Sequence, residues 1–156
     1  MYKIDYLHFK GEFIHIFNKG NIIISTIEEG NKNHIFIYEK LLEQSNYELN
    51  QEITFEFRWP IIGLSLLSDG MIIASGRKFI YIFNKDKNFK YLLHQKFIDG
   101  NWAEMVNIKE LKYIQNSFAV CGWNGLFIFS KQNNKYEITF EIDYHILGTT
   151  RLSDFV

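Results

Sequence analysis

The amino-acid sequence predicts an all-β fold, namely a β-propeller fragment of about three four-stranded antiparallel blades with one orphan strand at each end. The first observation is a repeat, since one order of apolar runs and polar turns occurs three times. The second is its period, because Tyr38, Phe83 and Phe129 recur at steps of 45 and 46 residues. The third is the abundance of Phe, Ile and Tyr, which favours strands. A fixed period with four strand-like runs per unit is typical of propeller blades.

The turns divide each repeat into four predicted strands, lettered a for the innermost to d for the outermost. The repeats cover residues 13–55, 61–97 and 105–142. The strands are expected at residues 13–18, 22–27, 34–39 and 47–55, then 61–67, 71–75, 79–84 and 89–97, and finally 105–111, 118–122, 126–130 and 135–142.

Hydrophobic patterning distinguishes the middle strands from the outer ones. The b and c strands are apolar on both parities, as in residues 22–24 and 79–83, which indicates that both faces are covered. The d strands alternate instead. Between residues 136 and 142 the apolar residues are expected to share one face, with polar residues on the solvent side. The apolar set is Tyr136, Ile138, Phe140 and Ile142.

Turn residues and the two ends of the chain complete the pattern. Asp69-Gly70 is expected to join a to b in the second repeat, and Asn124-Gly125 to join b to c in the third. Residues 146–154 match residues 61–69 at five of nine positions, which predicts an orphan inner strand at 146–152. A lone outer strand is expected at 2–9. We therefore expect a single partial propeller domain over residues 1–156, its ring completed by missing sequence or by another chain.

The period and strand order resemble the WD40 β-propeller superfamily over nearly the whole chain. The superfamily places a Trp-Asp pair at the end of the third strand of a blade. Here the corresponding pairs are Tyr38-Glu39, Phe83-Asn84 and Phe129-Ser130, and the Gly-His pair before the first strand is missing, so the repeats are degenerate. The resemblance implies a non-catalytic scaffold that binds other proteins, as a fragment or subunit of a larger assembly.

Composition argues against several other classes of partner. The net charge of −1 and the lack of a basic cluster argue against nucleic-acid binding. No apolar stretch approaches the roughly 20 residues of a membrane helix, and the first residues lack the apolar core of a secretory signal. The single cysteine, Cys121, excludes an internal disulfide. We therefore expect an intracellular, cytoplasmic protein whose partners are other proteins, with no nucleic acid and no membrane.

No catalytic motif stands out in the sequence. Phosphate-binding loops, nucleophile elbows and zinc-protease motifs are missing, and the five histidines do not pair at metal-ligand spacing, so we expect no enzyme activity, cofactor or metal. One alternative is a propeller-type hydrolase or lyase that uses a central channel, and another is a purely structural filler in a large complex. The polar residues of the inner strands, which lack a carboxylate cluster, are His15, Ser65, Asn107, Thr149 and Thr150.

The three tryptophans give the sharpest candidate site. Trp59 and Trp102 each follow an outer strand, and Trp123 lies in a b–c turn. In a propeller blade the d–a and b–c connections lie at the same end, which predicts one rim that contains all three indoles. Further members of this predicted rim are Arg58, Arg77, Asn101 and Glu104. Aromatic residues with Arg are typical of interface hot spots, although each indole could instead pack between blades as structural filler.

Overall fold

The computed structural model describes residues 13–17, 22–40, 47–98, 105–114, 116–122 and 125–143. Within these residues the chain forms twelve strands and no helix, so the predicted all-β class is confirmed. The two predicted orphan strands, at 2–9 and 146–152, lie outside the described residues. Each observed strand begins and ends within about two residues of its predicted position.

The twelve strands form three four-stranded antiparallel sheets, each with its strands in chain order. Sheet 1 contains β1 (Phe13–Phe17), β2 (Ile22–Glu29), β3 (Lys32–Lys40) and β4 (Tyr47–Glu56). Sheet 2 contains β5 (Ile61–Leu66), β6 (Ile72–Gly76), β7 (Phe79–Lys85) and β8 (Tyr91–Ile98). Sheet 3 contains β9 (Met105–Glu110), β10 (Ser117–Gly122), β11 (Gly125–Gln132) and β12 (Lys135–Asp143). This up-and-down order is that of a propeller blade.

The chain divides into two compact units, Met1–Pro60 and Ile61–Val156. Sheet 1 belongs to the first unit, where Ile23, Phe36 and Tyr38 form a buried cluster. Sheets 2 and 3 belong to the second unit and share one core. That core consists of Leu67, Met71, Ile73, Ile80, Ile82, Phe118, Val120, Phe127, Phe129 and Tyr136.

The core between sheets 2 and 3 is rich in aromatic contacts. Phe118 stacks on Phe129 with their ring centroids 4.9 Å apart, and Phe97 of β8 meets Phe129 edge-on at 5.1 Å. Gln95 of β8 adds a polar link, because its Nε2 donates to the carbonyl of Tyr136 (2.7 Å) and its Oε1 accepts from the Tyr136 amide (2.8 Å). One side chain therefore satisfies both backbone groups of a residue in the neighbouring sheet.

Burial follows the predicted contrast between middle and outer strands. Every residue of β6 and β10 is buried, whereas β8 is mostly exposed or half-buried. The continuous apolar runs of the b strands thus indicated coverage on both faces, and this prediction is confirmed.

Each outer strand carries a β-bulge at an equivalent position. The pairing register shifts at Tyr38, Phe83 and Phe129, so the ladder skips one residue of each outer strand, namely Asn50, His94 and Thr139. An extra residue reverses the alternation of side chains after it.

The bulge at Thr139 overturns one expectation about β12. Ile138 pairs with Phe129, but Phe140 pairs with Ile128, and these two β11 residues lie on opposite faces. Tyr136 and Ile138 therefore face sheet 2, while Phe140 and Ile142 face the other way. The prediction that all four share one face is wrong, because the strand contains one more residue than its ladder can pair.

In every sheet a lysine of the c strand pairs with a tyrosine of the d strand near the c–d connection. The cross-strand pairs are Lys40 with Tyr47, Lys85 with Tyr91, and Lys131 with Tyr136. In sheets 2 and 3 the lysine Nζ lies 5.3 and 5.8 Å from the centroid of the tyrosine ring, within cation–π range. Tyr91 and Tyr136 are both buried.

Candidate functional site

The turn from β5 to β6 is held by its own backbone and by one aspartate. Leu67 N donates to Met71 O (2.8 Å), Gly70 N donates to Leu67 O (2.9 Å), and Met71 N donates to Asp69 Oδ1 (3.1 Å). Gly70 has φ = 86°, a left-handed conformation that glycine adopts without steric cost. Asp69-Gly70 was predicted as this turn, and the prediction is confirmed.

The equivalent turn of sheet 3, between β9 and β10, is longer and more apolar. Leu111 N donates to Ser117 O (2.9 Å), as Leu67 N does to Met71 O. Its tip exposes Tyr113, which is 99% exposed, and Ile114, which is 47% exposed. These side chains project from the second unit at the end where the inner turns lie.

The two inner turns line an open cleft of about 490 Å³ between sheets 2 and 3. Sheet 2 lines it with its turn, and sheet 3 lines it with the end of β9, the start of β10 and one residue of β12. The lining residues are Leu67, Ser68, Asp69, Glu110, Leu111, Lys112, Asn116, Ser117 and Tyr136. We call this space the inner-turn cleft.

Glu110 fixes the sheet 2 turn to sheet 3 across this cleft. Its Oε2 accepts from the backbone N–H of Ser68 at 2.9 Å, and its Oε1 accepts from the Ser68 hydroxyl. A carboxylate that accepts two hydrogen bonds from one residue sets both the position and the orientation of the turn.

Tyr136 contributes an unsatisfied polar atom at the cleft. The residue is 1% exposed, and its hydroxyl is buried with no hydrogen-bond partner among the described residues. Burial, together with the negative charges of Asp69 and Glu110, raises the pKa of the Tyr136 hydroxyl to about 12. A buried tyrosine hydroxyl usually has a hydrogen-bond partner, so the Tyr136 hydroxyl is an exception among the described residues.

A second exposed aromatic residue lies in the c–d hairpin of sheet 2. Phe89 is 69% exposed and has φ = 61°. The hairpin repeats the geometry of the inner turn, because Asp86 N donates to Lys90 O (2.8 Å) and Phe89 N donates to Asp86 O (3.0 Å). Phe89 therefore occupies the backbone position that Gly70 holds in the inner turn.

The predicted tryptophan rim is only partly within the described residues. Trp59 is half-buried, and the Arg58 guanidinium carbon lies 5.1 Å from its ring centroid. Asn33 Nδ2 fixes this segment by donating to the carbonyls of Phe57 (3.0 Å) and Trp59 (3.1 Å). Arg77 is exposed in the β6–β7 turn of the second unit. Trp102, Trp123, Asn101 and Glu104 lie outside the described residues, so the rim stays a prediction.

The remaining sequence candidates are scattered. Cys121 is buried in β10, and Ser65 and Asn107 are half-buried on β5 and β9. Thr149 and Thr150 lie outside the described residues. Over the ranges that the structure describes, no three His, Cys, Asp or Glu side chains are grouped to hold a metal ion, and no helix is long and apolar enough to cross a membrane.

The sequence matches no protein-family model. No curated protein matches it either.

Sequence reasoning missed the inner-turn cleft, although a signal was present. The triplet Leu67-Ser68-Asp69 recurs as Leu152-Ser153-Asp154. This identity also sets the register of the repeat. A polar Ser-Asp pair that recurs in the repeat also indicates a common role for these two residues. In sheet 2 both of them line the cleft. The sequence did not single out Tyr136, because a tyrosine lies at or next to the start of every outer strand.

Proposed function

We propose that this chain is a non-catalytic protein-interaction module that binds a partner protein at the turn end of sheets 2 and 3. The observation that carries the proposal is Phe89, a large aromatic side chain that is exposed on a left-handed backbone. Such a conformation costs a residue with a side chain about 1–2 kcal/mol, and an exposed ring recovers little of this by burial. Strained residues of this kind cluster at functional sites.

The surroundings of Phe89 hold it in place. Asp86 Oδ1 accepts from the backbone N–H groups of Asn88 and Lys90, both at 2.8 Å, and thereby fixes the hairpin. The Lys85 Nζ lies 5.7 Å from the Phe89 ring centroid. A ring held by such contacts loses little conformational freedom on binding, which favours affinity.

Tyr113 and Ile114 extend the apolar surface at the same end. The a–b and c–d turns of an up-and-down sheet lie at one end, and the inner-turn cleft joins the corresponding ends of sheets 2 and 3. Phe89, Tyr113 and Ile114 therefore belong to one end of the second unit, which we call the turn-end surface. Exposed aromatic residues are the commonest anchors of protein interfaces. The predicted tryptophan rim would add binding residues at the opposite blade end.

A peptide-display selection against the immobilised chain tests this proposal. We expect an enriched consensus peptide whose affinity falls at least about tenfold in Phe89→Ala and in Tyr113→Ala, as for hot-spot residues. Lys87→Ala, in the same hairpin as Phe89, is the matched control and should bind as the unmodified chain does. Failure to enrich any consensus, or equal binding by Phe89→Ala and Tyr113→Ala, would contradict the turn-end surface. Loss of binding in Trp59→Ala alone would assign the interaction to the rim instead.

A further inference from the structure

We propose that the inner-turn cleft binds a cationic side chain, the ammonium of a lysine or the guanidinium of an arginine, presented by the partner protein. This inference rests on the proposed function in one respect, namely that the cationic group belongs to a partner protein. None of the residues that line the cleft belongs to the turn-end surface.

The charges in the cleft favour a cation. Asp69 and Glu110 contribute two carboxylates to the cleft, and Lys112 is the single basic residue among those that line it. Lys112 is exposed and makes no ion pair with either carboxylate among the described contacts. An anionic ligand would meet two carboxylates and only one ammonium, which is electrostatically unfavourable.

The acceptors left open in the cleft also favour a donor group. Both carboxylate oxygens of Glu110 accept hydrogen bonds from Ser68. In Asp69 only Oδ1 accepts a hydrogen bond, from the Met71 amide. Asp69 Oδ2 accepts no hydrogen bond from the described residues. The Tyr136 hydroxyl has no partner either. A ligand that donates two or more hydrogen bonds would satisfy both atoms, and ammonium and guanidinium groups are such donors.

Tyr136 distinguishes this site from a simple cluster of exposed carboxylates. Its ring is packed against Phe118 at 5.0 Å, and the Lys131 Nζ lies 5.8 Å from the ring centroid. The ring thus already has packing partners, and the hydroxyl is the part of Tyr136 that a ligand would contact. A single water molecule could satisfy the hydroxyl, but a cleft of about 490 Å³ is far larger than one water requires.

The test uses the full chain and single-residue probes in nuclear magnetic resonance titrations. The cationic probes are N-acetyl-arginine methylamide and N-acetyl-lysine methylamide, and N-acetyl-citrulline methylamide is the uncharged isostere of the first. We expect saturable shifts of the Ser68, Asp69 and Lys112 amide signals with at least one cationic probe, at millimolar dissociation constants. Citrulline should bind at least about tenfold more weakly than arginine. The stronger cationic probe tells whether the site takes ammonium or guanidinium.

Two variants and one control assign the binding to these atoms. Asp69→Asn keeps an oxygen for the Met71 amide but removes the charge, and it should weaken the stronger cationic probe at least about tenfold. Tyr136→Phe should weaken it severalfold. Glu137→Gln removes the same charge from an exposed residue on the other face of sheet 3, and it should bind normally. Absence of saturable shifts, citrulline binding equal to arginine, or an unchanged affinity in Asp69→Asn would each overturn the proposal.

The probes are single residues, so they do not require Phe89 or Tyr113. Probe binding without any enriched display peptide would retain the cleft and reject the turn-end surface. The reverse result would reject the cleft and retain the module. If both hold, the display consensus should contain a lysine or arginine whose contribution disappears in Asp69→Asn.

Discussion

The inner turn and the c–d hairpin of sheet 2 use the same backbone for different purposes. Both have the closing pair of hydrogen bonds, an aspartate that caps backbone amides, and a left-handed residue near the end. The inner turn has Gly70 at that position, while the hairpin has Phe89. The inner turn faces a neighbouring sheet across a cleft, and the hairpin projects into solvent. The comparison shows that turn geometry is reused within one blade while the side chain at the strained position differs.

The largest effect is expected from removal of the hairpin aspartate. Asp86→Ala deletes the acceptor of two backbone amides, each bond contributing about 1 kcal/mol, so the free energy of unfolding should fall by about 2 kcal/mol. Asp69→Ala deletes the acceptor of one described amide and should cost about half as much. Urea unfolding of both variants measures the difference. Equal losses in the free energy of unfolding would contradict this prediction, because they would show that the loss does not scale with the number of amide hydrogen bonds that each aspartate accepts.

Gly70→Ala should be the next largest change. No atom lies within 4 Å of a Cβ placed there, so the effect is purely one of backbone conformation at φ = 86°. We expect a loss of about 1 kcal/mol in the free energy of unfolding. Gly30, in the β2–β3 turn at φ = 66° with equally open surroundings, is the matched control and should respond alike. A neutral Gly70→Ala would mean that the turn relaxes.

Phe89→Gly should be stabilising, by about 0.5–1 kcal/mol, because it relieves the left-handed strain of an exposed residue. The same variant should lose the display-selected peptide. Thermal unfolding and peptide binding on one sample would show the two effects in opposite directions. A destabilised Phe89→Gly would instead make the ring a structural part of the hairpin.

The smallest effect at neutral pH is expected for Tyr136→Phe. Removal of a buried hydroxyl that has no partner among the described residues breaks no hydrogen bond, so the free energy of unfolding should not fall. The difference should emerge in alkali. Because the folded pKa is raised above 10 to about 12, the folded state favours the neutral phenol, and stability present below pH 10 is lost as the pH rises through 12. The unmodified chain should therefore lose more stability than Tyr136→Phe over this range.

Most of the fold could be predicted because its signals are local. Twelve strands follow from apolar runs bounded by turn residues, and the inner turn follows from Asp69-Gly70. The outer-strand bulges could not be predicted, because a bulge depends on how many residues fit opposite a partner strand. Alternation in residues 136–142 looked regular in the sequence, yet Thr139 divides it.

The candidate site was less predictable than the fold. Tryptophan and arginine residues predicted a site because they are common at interfaces. Ser68, Glu110 and Tyr136 lie far apart in sequence, and their residue types predict no site. These residues lie close together in space because sheet 3 packs against sheet 2, and such contacts between distant parts of the sequence leave no local pattern. The repeated Leu-Ser-Asp triplet was the one local trace of it.

The bulges at Asn50, His94 and Thr139 have a consequence for aggregation. β4, β8 and β12 are the outer edges of their sheets, and an outer edge offers unpaired amides and carbonyls to any passing strand. A bulge in the middle of each edge interrupts the straight run of pairing groups that another chain would need. Exposed charged residues such as Glu48, Lys96 and Glu137 reinforce the effect. The outer edges thus discourage fibre-like stacking, and deletion of His94 or Thr139 is expected to increase it.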